Sequence, residues 1–189
     1  MVLNRLLKHI ADTLTAIDAK SVEGLEVGCG EGNVIHYLYN RGVIGGMVAV
    51  DLQTKKLKFA KHYVPQANYL TADITRLIFK NDTFDYIMAI EMFEHLPDPA
   101  KALDELNRVA KNGAHLLISV PYEPFFHWGN LARGKYLHRM GKTPSHVNFW
   151  NRKQFKEFLS KNVTILEEHF LTTFPWMFYL CQFSTPPSH

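Results

Sequence analysis

LEVGCGEGN (residues 25–33) is the stretch that decides the fold of this chain. It places a glycine-rich loop directly after a short apolar run and before a segment with helical spacing. Glycine lets a backbone turn sharply and approach a ligand without a clash from Cβ. A glycine loop between a strand and a helix is typical of nucleotide-binding α/β proteins. The stretch therefore predicts a ligand site beyond the end of the first strand.

Two acids occupy matching positions after the next two predicted strands. Asp51 ends the second strand, where a carboxylate can accept hydrogen bonds from both hydroxyls of a ribose. Asp73 follows the third strand and suits the amino group of an adenine, and Ile74 beside it can pack on the ring. The loop and the acids together predict a ligand that contains a nucleoside.

The charge around the loop indicates the chemistry of that ligand. The third glycine that accompanies a pyrophosphate in dinucleotide sites is missing, which disfavours a nicotinamide oxidoreductase. Glu26 and Glu31 make the surroundings negative, which favours a cationic sulfonium over a diphosphate. Glu26 fits a purely structural role equally well, as a hydrogen-bonded carboxylate at the strand end.

Strands and helices alternate along the chain, which predicts an open, doubly wound α/β sheet of the Rossmann-like type. We expect seven mostly parallel strands with helices on both faces, and a ligand beyond the carboxyl ends of the strands. The predicted helices cover 1–20, 33–41, 54–62 with Thr54 as a possible cap, 97–111 with Gly113 as the residue that ends it, and 152–162. The predicted strands cover 22–27, 47–51, 68–71, 84–90, 115–120, 163–169 and 173–183.

Length and composition limit the class of protein and its compartment. A chain of 189 residues with 47% hydrophobic and 21% charged residues predicts one globular domain and argues against extended disorder. Two cysteines are too few for a secreted disulfide scaffold, and no signal-peptide pattern opens the chain, so we expect a cytoplasmic protein. The longest apolar stretch, residues 170–183, is too short for a membrane span and contains Pro175.

The motifs together resemble the class I S-adenosylmethionine-dependent methyltransferases, most of all the subgroup called type 11. The resemblance rests on residues 26–32, on Asp51, on Asp73-Ile74 and on FDYIMAIEMFEHLPDP (residues 84–99). It covers roughly residues 20–122 and returns weakly at 145–170. It implies S-adenosyl-L-methionine as cofactor, S-adenosyl-L-homocysteine as product, and a cofactor site formed by Glu26, Gly28, Cys29, Gly30, Gly32, Asp51, Leu52, Asp73, Ile74, Glu91 and Met92.

Methyl transfer is an in-line displacement, so the protein mainly supplies alignment and exclusion of water. A base is needed only when the acceptor must lose a proton. His95 and His146 are the candidate catalytic residues, because imidazole suits proton transfer near neutrality. Each has a structural alternative, His95 in closing the loop after the fourth strand and His146 in bonding a backbone carbonyl.

Residues 121–150 break the alternation and predict a substrate lid, with a short amphipathic helix across residues 126–140. The spacing of its three histidines, His127, His138 and His146, matches no compact zinc motif, so we expect no metal site. Four basic residues against one acid give this segment the whole net charge of +3, so we expect a small anionic acceptor. The candidate substrate-binding residues are Tyr122, Arg133, Arg139 and Asn148, and a solvated lid face is the alternative for the two arginines.

The sequence predicts a single methyltransferase domain over residues 1–189. It consists of an N-terminal helix (1–20), a cofactor-binding half (21–120), the lid (121–150), and a C-terminal helix and strands (151–189). Its acceptor remains open: aromatic and basic lid residues also suit RNA or a membrane-associated molecule such as a quinone. A non-catalytic S-adenosylmethionine-binding protein is the alternative from another class, and the oligomeric state stays open.

Overall fold

The computed structural model of the chain describes residues 2–136, 143–171 and 176–183. All the predicted regular elements lie at least partly within these ranges. The helices are α1 (Val2–Ala16), α2 (Asn33–Tyr39), α3 (Thr54–Tyr63), α4 (Pro99–Val109), α5 (Glu123–Ala132) and α6 (Arg152–Leu159), and the strands are β1 (Gly24–Val27), β2 (Met47–Asp51), β3 (Asn68–Thr71), β4 (Phe84–Ile90), β5 (Ala110–Pro121), β6 (Val163–Leu171) and β7 (Trp176–Phe183).

The strands form one sheet in the order β3-β2-β1-β4-β5-β7-β6. Strands β1 to β5 pair in parallel, and β7 is antiparallel to both of its neighbours. The order reverses between β1 and β4, which is where open α/β sheets bind their ligands. The predicted seven-stranded, mostly parallel sheet is confirmed.

Helices cover both faces of the sheet, as predicted. Strand β4 shows why its sequence is apolar throughout: Ile87 and Ala89 enter one core, whereas Tyr86 and Met88 enter the other. The first core joins the sheet to α4 and α6, and the second joins it to α1, α2 and α3. The helical residues in these two cores include Leu103, Leu106, Phe155 and Leu159 on the first face, and Leu6, Ile10, Leu38 and Leu57 on the second.

The boundary between α4 and β5 was predicted wrongly. The helix ends at Val109 and the strand starts at Ala110, so Gly113 (φ 80°) lies inside the strand and ends no helix. A register shift explains this, because the pairs Phe84–Ala110 and Tyr86–His115 leave extra residues on β5. Because residues 110–114 pair irregularly with β4, apolar alternation does not reveal that they belong to the strand.

Two smaller predictions also change. Gln53, not Thr54, is the N-cap of α3, without a side-chain bond, and the Thr54 hydroxyl lies 3.1 Å from that of Thr71. The lid helix is α5, which begins earlier than predicted, and residues 137–142 of the lid lie outside the described residues.

Across the described ranges, no helix is both long and apolar enough to cross a lipid bilayer. Cys29 and Cys181 are both buried, and neither forms a disulfide.

Candidate active site

The loop after β1 turns at three glycines with positive φ, namely Gly28 (69°), Gly30 (55°) and Gly32 (79°). A Cβ on Gly28 would clash with Cγ of Met92, and one on Gly32 would lie 2.9 Å from Cβ of Ala60. A Cβ on Gly30 would meet no atom within 4 Å. Gly28 and Gly32 therefore allow close packing, whereas Gly30 lines an open space.

Asp51 connects this loop to the end of β2. Its Oδ2 accepts a hydrogen bond from the backbone N–H of Gly30 at 2.9 Å, and its Oδ1 accepts one from Gln53 at 2.7 Å. The backbone N–H groups of Gly28 and Cys29 donate to the Val50 carbonyl. The carboxylate keeps further lone pairs for a ligand, because each oxygen accepts more than one bond.

Glu26 lies on β1 beneath the loop and is only 2% exposed. Its Oε2 has no hydrogen-bond partner among the described residues. Burial, and then the nearby Asp51 carboxylate, raise the pKa of Glu26 to about 8. A buried carboxyl without a partner is costly unless a ligand satisfies it, so this position suits a cationic group.

The proposed adenine contacts are Asp73 and Ile74, which follow β3, and Leu52 follows Asp51 at the end of β2. Leu52 is 70% exposed, so an apolar surface stands uncovered beside Asp51. Asp73 is exposed, and its Oδ1 accepts hydrogen bonds from the backbone and the hydroxyl of Thr75, which lower the pKa of its carboxyl. The side chain of Ile74 is largely buried in the core, whereas that of Leu52 is exposed.

Glu91 and Met92 follow β4 and have different surroundings. Met92 packs against Gly28 at the glycine loop. Glu91 has a left-handed backbone (φ 54°), and its carboxylate accepts hydrogen bonds from the Ser119 hydroxyl at 2.9 Å and from the Trp176 indole. Burial raises the pKa of Glu91 to about 7. Both oxygens of Glu91 are thus directed at β5 and β7.

His95 and His146 come together although 50 residues separate them. Their ring centroids lie 5.0 Å apart in an edge-to-face arrangement. Nδ1 of His95 lies 2.8 Å from the Ser145 carbonyl oxygen, and Nδ1 of His146 bonds a carboxylate oxygen of Glu123. Because each partner is an acceptor, Nδ1 is the donor in each contact, and the neutral tautomer of each ring then has its lone pair on Nε2.

Sequence reasoning missed two acids here. Glu123 is the single acid of the lid, and its side chain is 4% exposed behind His146. Glu94 is 1% exposed, and its Oε2 has no partner among the described residues. Burial, and then Glu91, raise the pKa of Glu94 well above its ordinary value. An acid isolated in a basic segment was the one available indication, and it pointed only to Glu123.

The predicted substrate-binding residues divide into different roles. Asn148 uses its side-chain amide to donate to the carbonyls of Phe93 (3.2 Å) and Leu96 (2.6 Å), so it positions the turn before α4. The ring of Tyr122 packs edge-on against that of Phe170, with 5.3 Å between the ring centroids. Arg133 is exposed after α5, and Arg139 lies outside the described residues.

Comparison with known proteins gives the arrangement a family context. A family model described as a methyltransferase domain matches residues 25–118, about half of the chain. A ubiquinone biosynthesis O-methyltransferase of Coxiella burnetii is 32% identical over 60% of this chain and 48% of its own length. One from Hahella chejuensis is 31% identical over 62% of this chain and 50% of its own length. The chain spans about half the length of the curated relatives it matches.

Solved structures share the fold. A SAM-dependent methyltransferase from Aquifex aeolicus superposes with a TM-score of 0.71 at 17% identity, covering 94% of this chain and 89% of that one. At this identity the likeness concerns the architecture alone. It covers 94% of this chain and therefore extends beyond residues 25–118, the region matched by the family model.

Proposed function

Because the chain belongs to the class I S-adenosylmethionine-dependent methyltransferases, we propose that it transfers a methyl group to an oxygen of a small anionic acceptor. The observation that carries the proposal is the space beside Gly30. It is open in the direction of a Cβ, the Gly30 backbone is bonded to the Asp51 carboxylate, and Glu26 with its unpartnered Oε2 lies on the strand that leads into the loop. A ligand with hydroxyls and a positive charge fits these neighbours.

The residues present fit S-adenosylmethionine. Asp51 would accept hydrogen bonds from the ribose hydroxyls, and Leu52 with Asp73 would flank the adenine. Glu26, Gly28, Cys29, Gly30 and Gly32 would surround the amino-acid part, with Met92 beneath it. When bound, the cofactor supplies a methyl group on a positively charged sulfur, and the carbon–sulfur bond breaks as the carbon–oxygen bond forms.

The protein's own contribution lies on the acceptor side. In the neutral tautomer that these contacts select, His95 and His146 each have a lone pair on Nε2, which can accept a hydrogen bond from an acceptor hydroxyl and orient its oxygen. Glu123 and the Ser145 carbonyl hold the two rings, so little reorganisation is needed when the acceptor arrives. Tyr122 and the lid would exclude water, and Arg133 and Arg139 would attract the anionic group.

A membrane-associated acceptor is the second candidate. Phe125 and Trp128 are 55% and 70% exposed on α5, next to the basic residues Arg133 and Lys135. Aromatic side chains beside cations are typical of surfaces that rest on anionic lipid. The O-methyltransferases of ubiquinone biosynthesis among the relatives agree with an oxygen acceptor in either case.

We also propose a cytoplasmic location. Both cysteines are buried thiols, and burial raises the pKa of Cys29 and of Cys181. Two buried thiols that form no disulfide are the usual state in a reducing compartment.

The test is a methyl-transfer assay with radiolabelled S-adenosylmethionine, preceded by calorimetric titration with S-adenosylhomocysteine. Small hydroxylated aromatic acids, the same compounds with amines replacing hydroxyls, short RNA, and a hydroxylated quinone in anionic vesicles serve as acceptors. We expect cofactor binding and transfer to the hydroxylated acids. Transfer only in vesicles supports the second candidate, and transfer only to RNA overturns both. Binding without transfer to any acceptor supports a non-catalytic protein.

A further inference from the structure

The turn after β4 and the lid bring together three potential metal ligands. One ligand atom from each of Glu94, His95 and His146 lies within 4.8 Å of the other two. His95 Nε2 is 3.8 Å from Oε1 of Glu94. Metal–ligand bonds of about 2.1 Å place neighbouring ligand atoms roughly 3 to 3.5 Å apart, so small side-chain adjustments would suffice.

Both imidazoles are arranged as metal ligands usually are. A ligating histidine typically donates its other ring N–H to a carboxylate or a backbone carbonyl. His146 does so to Glu123, and His95 does so to the Ser145 carbonyl. Nε2 of each ring takes no part in these contacts and is therefore the atom available to a metal ion.

Glu94 supplies an independent observation. Its side chain is 2% exposed, and its Oε2 is a buried atom without a hydrogen-bond partner among the described residues. Its backbone carbonyl accepts hydrogen bonds from Val147 (2.8 Å) and Asn148 (3.0 Å), which hold the lid against this turn. Burying a carboxylate is costly unless a positive charge lies beside it. A cation bound between Glu94 and the Nε2 atoms of the two imidazoles would provide that charge.

We propose that Glu94, His95 and His146 bind a divalent metal ion, with Glu123 as the carboxylate that orients His146. Two imidazoles and one carboxylate suit manganese, iron, cobalt or zinc better than an ion that prefers only oxygen ligands. The site is different from the His127, His138 and His146 combination that sequence spacing argued against, because two of its ligands come from the turn after β4.

The metal deepens the proposed function, and its catalytic role rests on that function. Three protein ligands leave coordination positions open. An acceptor hydroxyl bound there would have a lower pKa, lose its proton to solvent near neutral pH, and attack as an oxyanion held in place. The imidazoles would then act on the acceptor as metal ligands.

The test uses the purified chain of 189 residues after treatment with EDTA, and titrates it with Mn²⁺ while free Mn²⁺ is followed by electron paramagnetic resonance. We expect one ion per chain. Glu94→Gln and His95→Gln should each remove the binding, and Glu123→Gln should weaken it about 10- to 100-fold. His95 is the safer variant for folding, because its side chain is 43% exposed.

The matched control is His169→Gln, in a second group formed by His9, Glu167 and His169. It should leave the titration unchanged. Absence of stoichiometric binding, or binding that His95→Gln and Glu94→Gln leave intact, overturns the site. Binding that only His169→Gln removes also overturns it, because the ion then belongs to the second group.

Cofactor titration and transfer assays separate this inference from the proposed function. Transfer at the same rate with EDTA and with Mn²⁺ overturns the catalytic role and leaves the methyltransferase assignment standing. Mn²⁺ binding by a chain that binds no S-adenosylhomocysteine upholds the metal site and overturns the proposed function.

Discussion

The backbone N–H of Gly30 donates a hydrogen bond to Oδ2 of Asp51 at 2.9 Å, across 21 residues of sequence. This bond ties the glycine loop after β1 to the end of β2. The carboxylate proposed to hold the ribose therefore also shapes the loop that would surround the amino-acid part of the cofactor. The two halves of the candidate cofactor site are thus held together before any ligand binds.

The open side of Gly30 gives the first prediction. Gly30→Ala places a methyl group in the proposed cofactor space and adds about 1 kcal/mol of backbone strain. Gly42→Ala is the matched control, because Gly42 also has a positive φ (63°) and nothing within 4 Å of its Cβ position. We expect similar losses of melting temperature, but only Gly30→Ala should weaken S-adenosylhomocysteine binding, by about 100-fold. Equal affinities measured by calorimetry would show that the cofactor lies elsewhere.

The burial of Glu26 predicts that the stability of the fold depends on pH. The pKa of Glu26 is about 8 in the folded protein and 4.5 ordinarily, so between these values the folded state keeps a proton that the unfolded chain has released. The stabilising contribution is complete below pH 4.5 and is lost as pH rises to about 8. Across that range the free energy of unfolding should fall by about 1.4 kcal/mol for each pH unit. Glu26→Gln should abolish this decline.

Thermal unfolding of the wild type and of Glu26→Gln between pH 5 and 9 checks this. The two melting curves should diverge as pH rises, with the variant the more stable at pH 8. Parallel curves would mean that Glu26 ionises normally in the folded protein. A second measurement is proton release on S-adenosylmethionine binding at pH 7, which we expect in the wild type alone, because a cation lowers the pKa of Glu26.

The basic lid gives a prediction on acceptor use. Replacing Arg133, Lys135 and Arg139 by glutamine should raise the KM for an anionic acceptor roughly three- to tenfold at low salt, because attraction to the lid is lost. The effect should shrink in high salt, and cofactor affinity should stay the same. A control that replaces Lys20, Lys153 and Lys161 removes equal charge away from the lid. If both variants behave alike, net charge and not the lid attracts the acceptor.

A structural prediction concerns the start of β1. A Cβ on Gly24 would clash with Cζ of Tyr86, which is fully buried, so Gly24→Ala should cost about 2–3 kcal/mol. Gly46→Ala on the neighbouring segment would meet only the Glu23 carboxylate at 3.5 Å and should change stability by less than about 0.5 kcal/mol. Urea unfolding measures both, and a tolerated Gly24→Ala would contradict the packing of Tyr86.

Most of the fold could be predicted from local sequence patterns, because each pattern involves only residues that are close together in the chain. The glycine loop and the alternation of apolar segments located β1 to β4 and the helices between them. The boundary at Ala110 was missed because it depends on pairing with β4, where extra residues bulge opposite Phe84 and Tyr86. Register between strands is a tertiary property and leaves a weak trace in one sequence.

The acceptor side shows the same division. His95 and His146 were predicted from their chemistry, but their contact, and the support from Glu123, exist only because the lid folds back on the turn after β4. Asn148 was predicted to touch substrate, yet its amide donates to the carbonyls of Phe93 and Leu96. Hydrogen bonds between distant segments decide which polar side chains remain available to a ligand.

By itself, the sequence determined the sheet, its helices and the position of the glycine loop after β1. Apolar periodicity, glycine placement and the acids at strand ends are local patterns that involve residues close together in the chain. Only the tertiary structure decided that Glu94, His95 and His146 share one space and that Glu26 is a buried carboxyl whose Oε2 lacks a partner among the described residues. Burial and the convergence of side chains depend on how segments pack, and packing sets both the charge states and the neighbours on which chemistry depends.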